Sequence, residues 1–387
     1  MVSEAIPSTT IFSRKNPFPA PLLTRRRLDG PGSEKQTFHY EFSLRDSALV
    51  FEPGDSLGVF PQNDLRLVDE ILGLLGYTGE EEVTGASGQS VALRSVLLRE
   101  RTITTPARQF VQLVAERIPA AHHLLEFCAP DARSKLDAYL WGRQVVDFAI
   151  EYPELREKLK PAEFAGTLAK LQPRLYSIAS SLKRYQDQAH LLVTNVGFVS
   201  YGRAREGVCT SFLSGRIEDG TSVPVFIHSA KHFRLPDNPD APTIMIGVGT
   251  GLAPYRGYLQ EREATGARGR NWLFFGEQRR AANFYHEEEL ASYVASGLLT
   301  RFDTAFSRDQ TTKIYVQHRI REKGRDLWAW LNDGAYLYLC GDAERMAPDV
   351  DAAIRAVVQE HGGMSGEAAA EYVAKLRAEK RYRRDVY

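Results

Sequence analysis

The stretch that most narrows what this chain can fold into is 243–256. Thr243-Ile244-Met245-Ile246 reads as a buried strand, and Gly247-Val248-Gly249-Thr250-Gly251-Leu252-Ala253-Pro254 leads from it into a helical pattern. The glycines let backbone close on a phosphate, which the free N–H groups of a helix start attract, and Pro254 suits a first helical turn. The spacing is Gly-x-Gly-Thr-Gly-x-Ala-Pro, not the Gly-x-Gly-x-x-Gly dinucleotide fingerprint. Beyond it, strand and helix signals alternate at 271–275, 287–294, 300–306, 336–340 and 347–360. That alternation predicts a doubly wound parallel sheet with helices on both faces, and ligands of such sheets bind at the strands' carboxyl ends.

The chain before Pro242 has a different texture. Residues 35–42 alternate as a strand, and a Pro53-Gly54-Asp55 turn leads into a second one through Leu57-Gly58-Val59. Short strands with Gly and Pro punctuation predict an antiparallel barrel. From 64 to about 169 the pattern turns helical. Leu67, Val68, Ile71, Leu72, Leu74 and Leu75 fall at helix spacing with Gly76 as a stop, and further helical patterns lie at 106–117, 131–141 and 161–171. Barrel strands resume at 190–201, with Leu192, Thr194 and Val196 expected on one face. The expected fold class is therefore all-β plus α/β. Residues 1–23, rich in Pro, Ser and Thr, are expected as a flexible tail. Residues 24–235 would form the barrel domain with a helical insertion at about 64–170, and 236–387 the doubly wound domain.

At 387 residues the chain has room for two such domains. Its 49 Lys and Arg are matched by 49 Asp and Glu, so nothing in the charge calls for nucleic acid or an anionic membrane. Cys128, Cys209 and Cys340 are widely separated and odd in number, which fits a reduced, cytoplasmic compartment with no metal. Adjacent His122 and His123 point apart on a helix, so no metal is expected there either. The start carries no basic segment followed by an apolar core, and no apolar run approaches membrane-spanning length.

Four stretches carry chemistry. In Arg174-Leu175-Tyr176-Ser177-Ile178-Ala179-Ser180-Ser181, a strand would put Arg174 and Tyr176 on one face and Leu175 and Ser177 on the other. One face then offers a guanidinium fork for a diphosphate and a ring for stacking a flat ligand, although an ordinary barrel strand would also fit. Glu206-Gly207-Val208-Cys209-Thr210 reads as a glycine opening a helix, a weak anion site by itself. At 307–317, Ser307, Arg308, Lys313, Tyr315 and Gln317 bring cations and donors onto one short loop. They suit a 2′-phosphate, where an NAD site would set a carboxylate on the ribose; a solvated basic loop is the plainer alternative. Finally, a strand ends in Cys340-Gly341-Asp342.

Together these motifs, from about residue 16 to 387, resemble the ferredoxin-NADP reductase superfamily in its diflavin-reductase form. The resemblance implies FAD and NADPH as cofactors. It implies Arg174 on the FAD pyrophosphate, Tyr176 stacked on the isoalloxazine and Ser177 near flavin N5, with Leu175 in the same strand. Backbone of Leu192, Val193 and Thr194 would meet the ring. Phe198 would lie at the adenine end, where relatives often carry Tyr. Gly207, Val208, Cys209 and Thr210 would form a second diphosphate clamp. Gly249, Thr250 and Gly251 would cradle the NADP pyrophosphate, Ser307, Arg308, Lys313, Tyr315 and Gln317 its 2′-phosphate end, and Asp349 would lie near the nucleotide. Cys340 would sit beside the nicotinamide carbon that gives up hydride, as a positioning group and not a nucleophile. Asp385 would join Ser177 and Cys340 in a polar catalytic cluster, and Tyr387 would cover the flavin face opposite Tyr176.

The implied activity is hydride transfer from NADPH to FAD and onward passage of single electrons, most closely in the manner of the flavoproteins of assimilatory sulfite reduction. Diflavin relatives carry an FMN domain ahead of this module, and the short N-terminal stretch leaves no room for one. The expected acceptor is therefore separate, an FMN-containing flavodoxin-like protein or a sulfite reductase hemoprotein. A flavodoxin or ferredoxin reductase of another pathway is one alternative, and a redox-sensing nucleotide-binding module without turnover is another.

Overall fold

The computed structural model describes residues 12–387. Strands β1 (Phe18–Arg27), β2 (Thr37–Ser43) and β3 (Ser56–Val59) open the chain. The flexible tail expected over 1–23 is overturned at residues 18–23, which belong to β1. Phe18, Ala20 and Leu22 are buried on one face of β1, while Pro19 is exposed and Pro21 half-buried between them. Burial of the alternating apolar residues outweighs the prolines. Residues 1–11 of that expected tail lie outside the described residues.

The described chain forms two compact units. One comprises Val59–Arg174 with Asn195–Glu218. Its helices include Leu65–Leu75, Leu93–Arg99, Arg108–Arg117 and Val145–Glu151, and β4 (Glu82–Thr84) pairs with β5 (Ser90–Ala92). Asp64 caps the first helix by accepting the Arg66 N–H, and Gly76 ends it in the left-handed region at φ 72°, where glycine lacks the Cβ penalty. Val68, Ile71, Leu72, Phe110, Phe148 and Phe164 pack into a core of this unit's own.

The other unit takes in the chain up to Gly58, Leu175–Thr194 and Asp219–Tyr387. After β6 (Arg174–Ser177) and β7 (Gln188–Thr194) come the hairpin β8 (Gly197–Ser200) and β9 (Arg203–Glu206), then β10 (Ser222–His228). Six strands form one sheet in the order β6-β3-β10-β1-β2-β7. The pairs β10–β1, β1–β2 and β2–β7 are antiparallel, and an antiparallel bridge from Ile178 to Leu191 brings the two edges together just past β6. Val196 is not the third residue of the face expected for it. Strand β7 stops at Thr194, and Val196 lies in the turn whose carbonyl accepts the Gly207 N–H.

The second sheet contains β11 (Thr243–Val248), β12 (Asn271–Glu277), β13 (Arg301–Phe306), β14 (Tyr336–Gly341) and β15 (Tyr382–Val386), in the order β13-β12-β11-β14-β15. All four pairings are parallel, and β11 and β12 are buried almost throughout, as expected for a sheet covered on both faces. The charged Arg381-to-Tyr387 end, which carries no strand signal of its own, becomes the edge strand β15.

Candidate active site at the carboxyl ends of the nucleotide sheet

The order β11-β14-β15 puts the glycine loop, Cys340 and the chain terminus side by side. In the β14–β15 register Cys340 is paired with Asp385, so the two side chains share a face. Asp385 Oδ2 accepts the Ser177 hydroxyl at 2.8 Å and lies 3.9 Å from the Cys340 thiol. Two residues, from positions 177 and 340, thus converge on one carboxylate oxygen of a third, Asp385. Burial, reinforced by the Asp385 charge, pushes the Cys340 thiol well above its usual range. A thiol so held stays protonated, and nucleophilic chemistry needs the thiolate.

The glycine loop turns against β14. Gly249 adopts φ 60°, and a Cβ on Gly251 would lie 2.2 Å from the Cys340 carbonyl oxygen, so only glycine allows this approach. The helix Ala253–Thr265 begins directly behind it with Pro254 in the first turn. Tyr387 reaches back to this loop, its phenol oxygen 3.0 Å from the Thr250 hydroxyl.

Beside the loop, a cavity of about 400 Å³ is lined by Ser307, Tyr315, Gln317 and Asp349, four of the residues expected to meet a nucleotide. Gln317 Nε2 donates to Asp349 Oδ2 at 3.1 Å. Lys35, Glu277 and Arg345 line the same cavity and were not legible in the sequence, because Lys35 meets its ion-pair partner Glu277 from 242 residues away. Arg308 is placed differently from Ser307. Its guanidinium pairs with Glu34 at 2.5 Å, and that cation holds the Glu34 carboxyl below its ordinary range. Lys313 is exposed on the same loop.

The residues expected to hold a flavin fall in both units, and each is described where it lies. Arg174 and Leu175 are exposed at the start of β6, with Tyr176 and Ser177 half-buried. Leu192 and Val193 are buried in β7, whose last residue Thr194 bonds Thr37 at 2.9 Å. In the other unit, Gly207 caps the helix Val208–Gly215, and Thr210 Oγ1 accepts the Val196 N–H at 3.2 Å, tying the helix start to the hairpin. Cys209 is buried in that helix, a small packed residue. Phe198 is half exposed and edges a cavity of about 730 Å³ with Phe127, Trp141 and Arg143. In the unit holding Arg174, Phe198 and the helix Val208–Gly215, the exposed guanidinium and the helix start suit a diphosphate and the ring suits a flat ligand. In the other unit, the uncovered surfaces of Leu175 and Tyr387 suit a flat ligand.

A second cluster escaped sequence reasoning. His39 and Glu41 on β2 and His190 on β7 have ligand atoms within 4.8 Å of one another, and the His286 ring lies 5.1 Å from that of His39. Arg256 donates to His190 Nδ1 at 3.2 Å, which leaves Nε2–H to donate to Gln188 Oε1 at 2.9 Å. His190 therefore retains no lone pair for a metal. Arg256 also binds Glu289 Oε2 at 2.6 Å and the Ala179 carbonyl at 2.8 Å, so the cluster works as a seam between β7 and the helix Ala253–Thr265. Burial, with Arg256 adding to it, pulls His190 down to about 3. Burial likewise lowers His39 and His286.

Residues 10–212, more than half of the chain, match the family model described as FAD binding domain, and the chain belongs to that family. Residues 245–352 match the model described as oxidoreductase NAD-binding domain. The chain is 40% identical over 377 residues to the sulfite reductase [NADPH] flavoprotein alpha-component of Bacillus subtilis (strain 168). It is 43% identical over 379 residues to proteins of the same name from Klebsiella pneumoniae and Aliivibrio fischeri. These alignments cover 97% or 98% of this chain and 62% of each relative.

Proposed function

We propose that this chain is the FAD- and nucleotide-binding portion of an NADPH-oxidising flavoprotein reductase of the sulfite reductase type, working in the cytoplasm. FAD would be held by residues 24–235 and NADPH by residues 236–387. The observation that carries the reading is the convergence of Ser177, Cys340 and Asp385 at the carboxyl end of the nucleotide sheet, beside the glycine loop. A bound flavin would supply hydride acceptance and single-electron transfer there.

The protein's own contribution is placement. Arg174 and the N–H groups of the helix Val208–Gly215 would bind the FAD diphosphate, and Tyr176 and Tyr387 would hold the ring between them. Asp385 fixes the Ser177 hydroxyl with its proton toward the carboxylate, and the Cys340 S–H stays neutral, so the thiol adds no second negative charge beside Asp385. Ser307, Arg308, Lys313, Tyr315 and Gln317 would select the 2′-phosphate, with Gly249, Thr250 and Gly251 on the diphosphate and Asp349 near the nucleotide. The acceptor that fits the relatives' name is a sulfite reductase hemoprotein, reached directly or through an FMN-containing flavodoxin-like protein. Anaerobic titration of the FAD-loaded chain with NADPH and with NADH tests the reading. Bleaching of the oxidised-flavin band by NADPH and not by NADH is expected; a band unchanged by both would refute it.

A further inference from the structure

We propose that Thr250 is a positioning residue for the terminal ring, a latch that holds Tyr387 in place from the glycine loop. The inference rests on the reading above and adds a part to it. The main chain of Tyr387 is fixed on two sides. Its N–H donates to the Gly341 carbonyl at 3.1 Å, and its own carbonyl accepts the Ala343 N–H at 3.1 Å. Tyr387 as a whole is 64% exposed, while its phenol end is shielded from water beside Cys340 and Asp385. The 3.0 Å hydrogen bond between the phenol and the Thr250 hydroxyl adds a directional restraint on its two side-chain torsions.

Thr250 itself cannot drift. Gly251, its neighbour, sits on β14 too close to the Cys340 carbonyl to admit a side chain, and Gly249 on the other side takes a left-handed φ of 60°. Cys340 is in register with Asp385, and Asp385 holds Ser177. The Thr250 hydroxyl is therefore fixed relative to the transfer cluster, and through it so is the ring. Asp385 and Tyr387 are two apart along an extended chain and point to the same side, which sets the ring beside that cluster. A hydroxyl offers one donor and two acceptor sites, so Thr250 can hold the phenol whether or not a phosphate lies on the loop. The latch then belongs to the nucleotide-free protein, where any phosphate-binding role of Thr250 is silent.

The test is flavin fluorescence of the FAD-loaded full chain without nucleotide, because a phenol ring stacked on isoalloxazine quenches it. Tyr387→Ala sets the full scale. Thr250→Val and Tyr387→Phe should each raise the emission to the same intermediate level, the double variant no further, and Thr250→Ser should keep the wild-type signal. With nucleotide, Thr250→Val should also raise the NADH rate relative to NADPH several-fold. Wild-type emission in Thr250→Val beside a raised emission in Tyr387→Ala overturns the latch alone, as do additive effects in the double variant. Unchanged emission in Tyr387→Ala overturns both the latch and the covering role of Tyr387. A chain that takes up no FAD, seen directly by its absorbance, overturns the proposed function itself.

Discussion

Two ends of the same parallel sheet solve different problems. At β14 and β15 the polar groups of the cluster are shielded and held by register: Cys340 is fully buried beside the half-buried Asp385, which carries Ser177. After β13 the polar groups are many and exposed and are held by charge, with Arg308 pinned by Glu34 in solvent. Buried groups are placed to within the tolerance of a packed core, whereas exposed pairs in water are weak and exchangeable. The first arrangement suits a reaction that needs fixed geometry. The second suits a ligand that must displace a counterion and leave again.

The contrast can be broken by experiment. The largest effect is expected from the buried seam on which the transfer end rests. Arg256→Ala would remove the cation paired with Glu289 Oε2, whose other oxygen keeps Gln260 and Tyr293, and the donor to His190 Nδ1, and should lower unfolding free energy by about 3–5 kcal/mol in urea titrations. A loss like that of a surface pair would show that the seam is not structural. Next, Asp385→Ala should slow flavin reduction by NADPH on the order of a hundredfold in stopped flow, as small misplacements at a transfer site do, with NADP⁺ affinity nearly unchanged. Equal losses of rate and affinity would erase the distinction between the two ends.

Third comes pH. His39, His190 and His286 stay neutral in the folded chain, while in the unfolded chain they take up protons near pH 6.5. The unfolded state therefore binds more protons as pH falls. The stability these imidazoles contribute is complete above about pH 6.5 and is lost below it, by about 2 kcal/mol for His190 between pH 7 and pH 5. A urea midpoint flat across that window would contradict the burial argument. Smallest are the effects at the exposed end. Arg308→Ala should weaken NADPH binding by roughly 1.5 kcal/mol, the low end for charged hydrogen bonds, and Glu34→Gln should tighten it by roughly twofold by removing the competing carboxylate. A reversed sign for Glu34→Gln in calorimetry would mean that Glu34 orders the loop instead of competing for it.

Residues such as Gly249, Pro254 and Leu72 were readable one at a time, because turn, cap and helix-face chemistry is local and has a fixed spacing. So were the order of the two sheets and the stretches that resemble a flavin and nucleotide site. Strand β15 was not readable. Its charged residues carry no alternation, and it exists because β14 offers an open edge with a register that satisfies both backbones. Lys35, Glu34 and Arg256 were equally silent, since a lone cation or acid means nothing until its partner is known.

Except for β1 and β15, the sequence by itself determined most of the elements, their order and the chemistry available in each, because those follow from patterns within a few residues. Only the tertiary structure decided that Ser177 and Cys340 meet one Asp385 oxygen, that Thr250 meets Tyr387, and that Arg256 bonds His190 within a cluster of three histidine rings. Those pairings span tens to hundreds of residues. They are fixed by strand register and close packing of the whole unit, which no local pattern encodes.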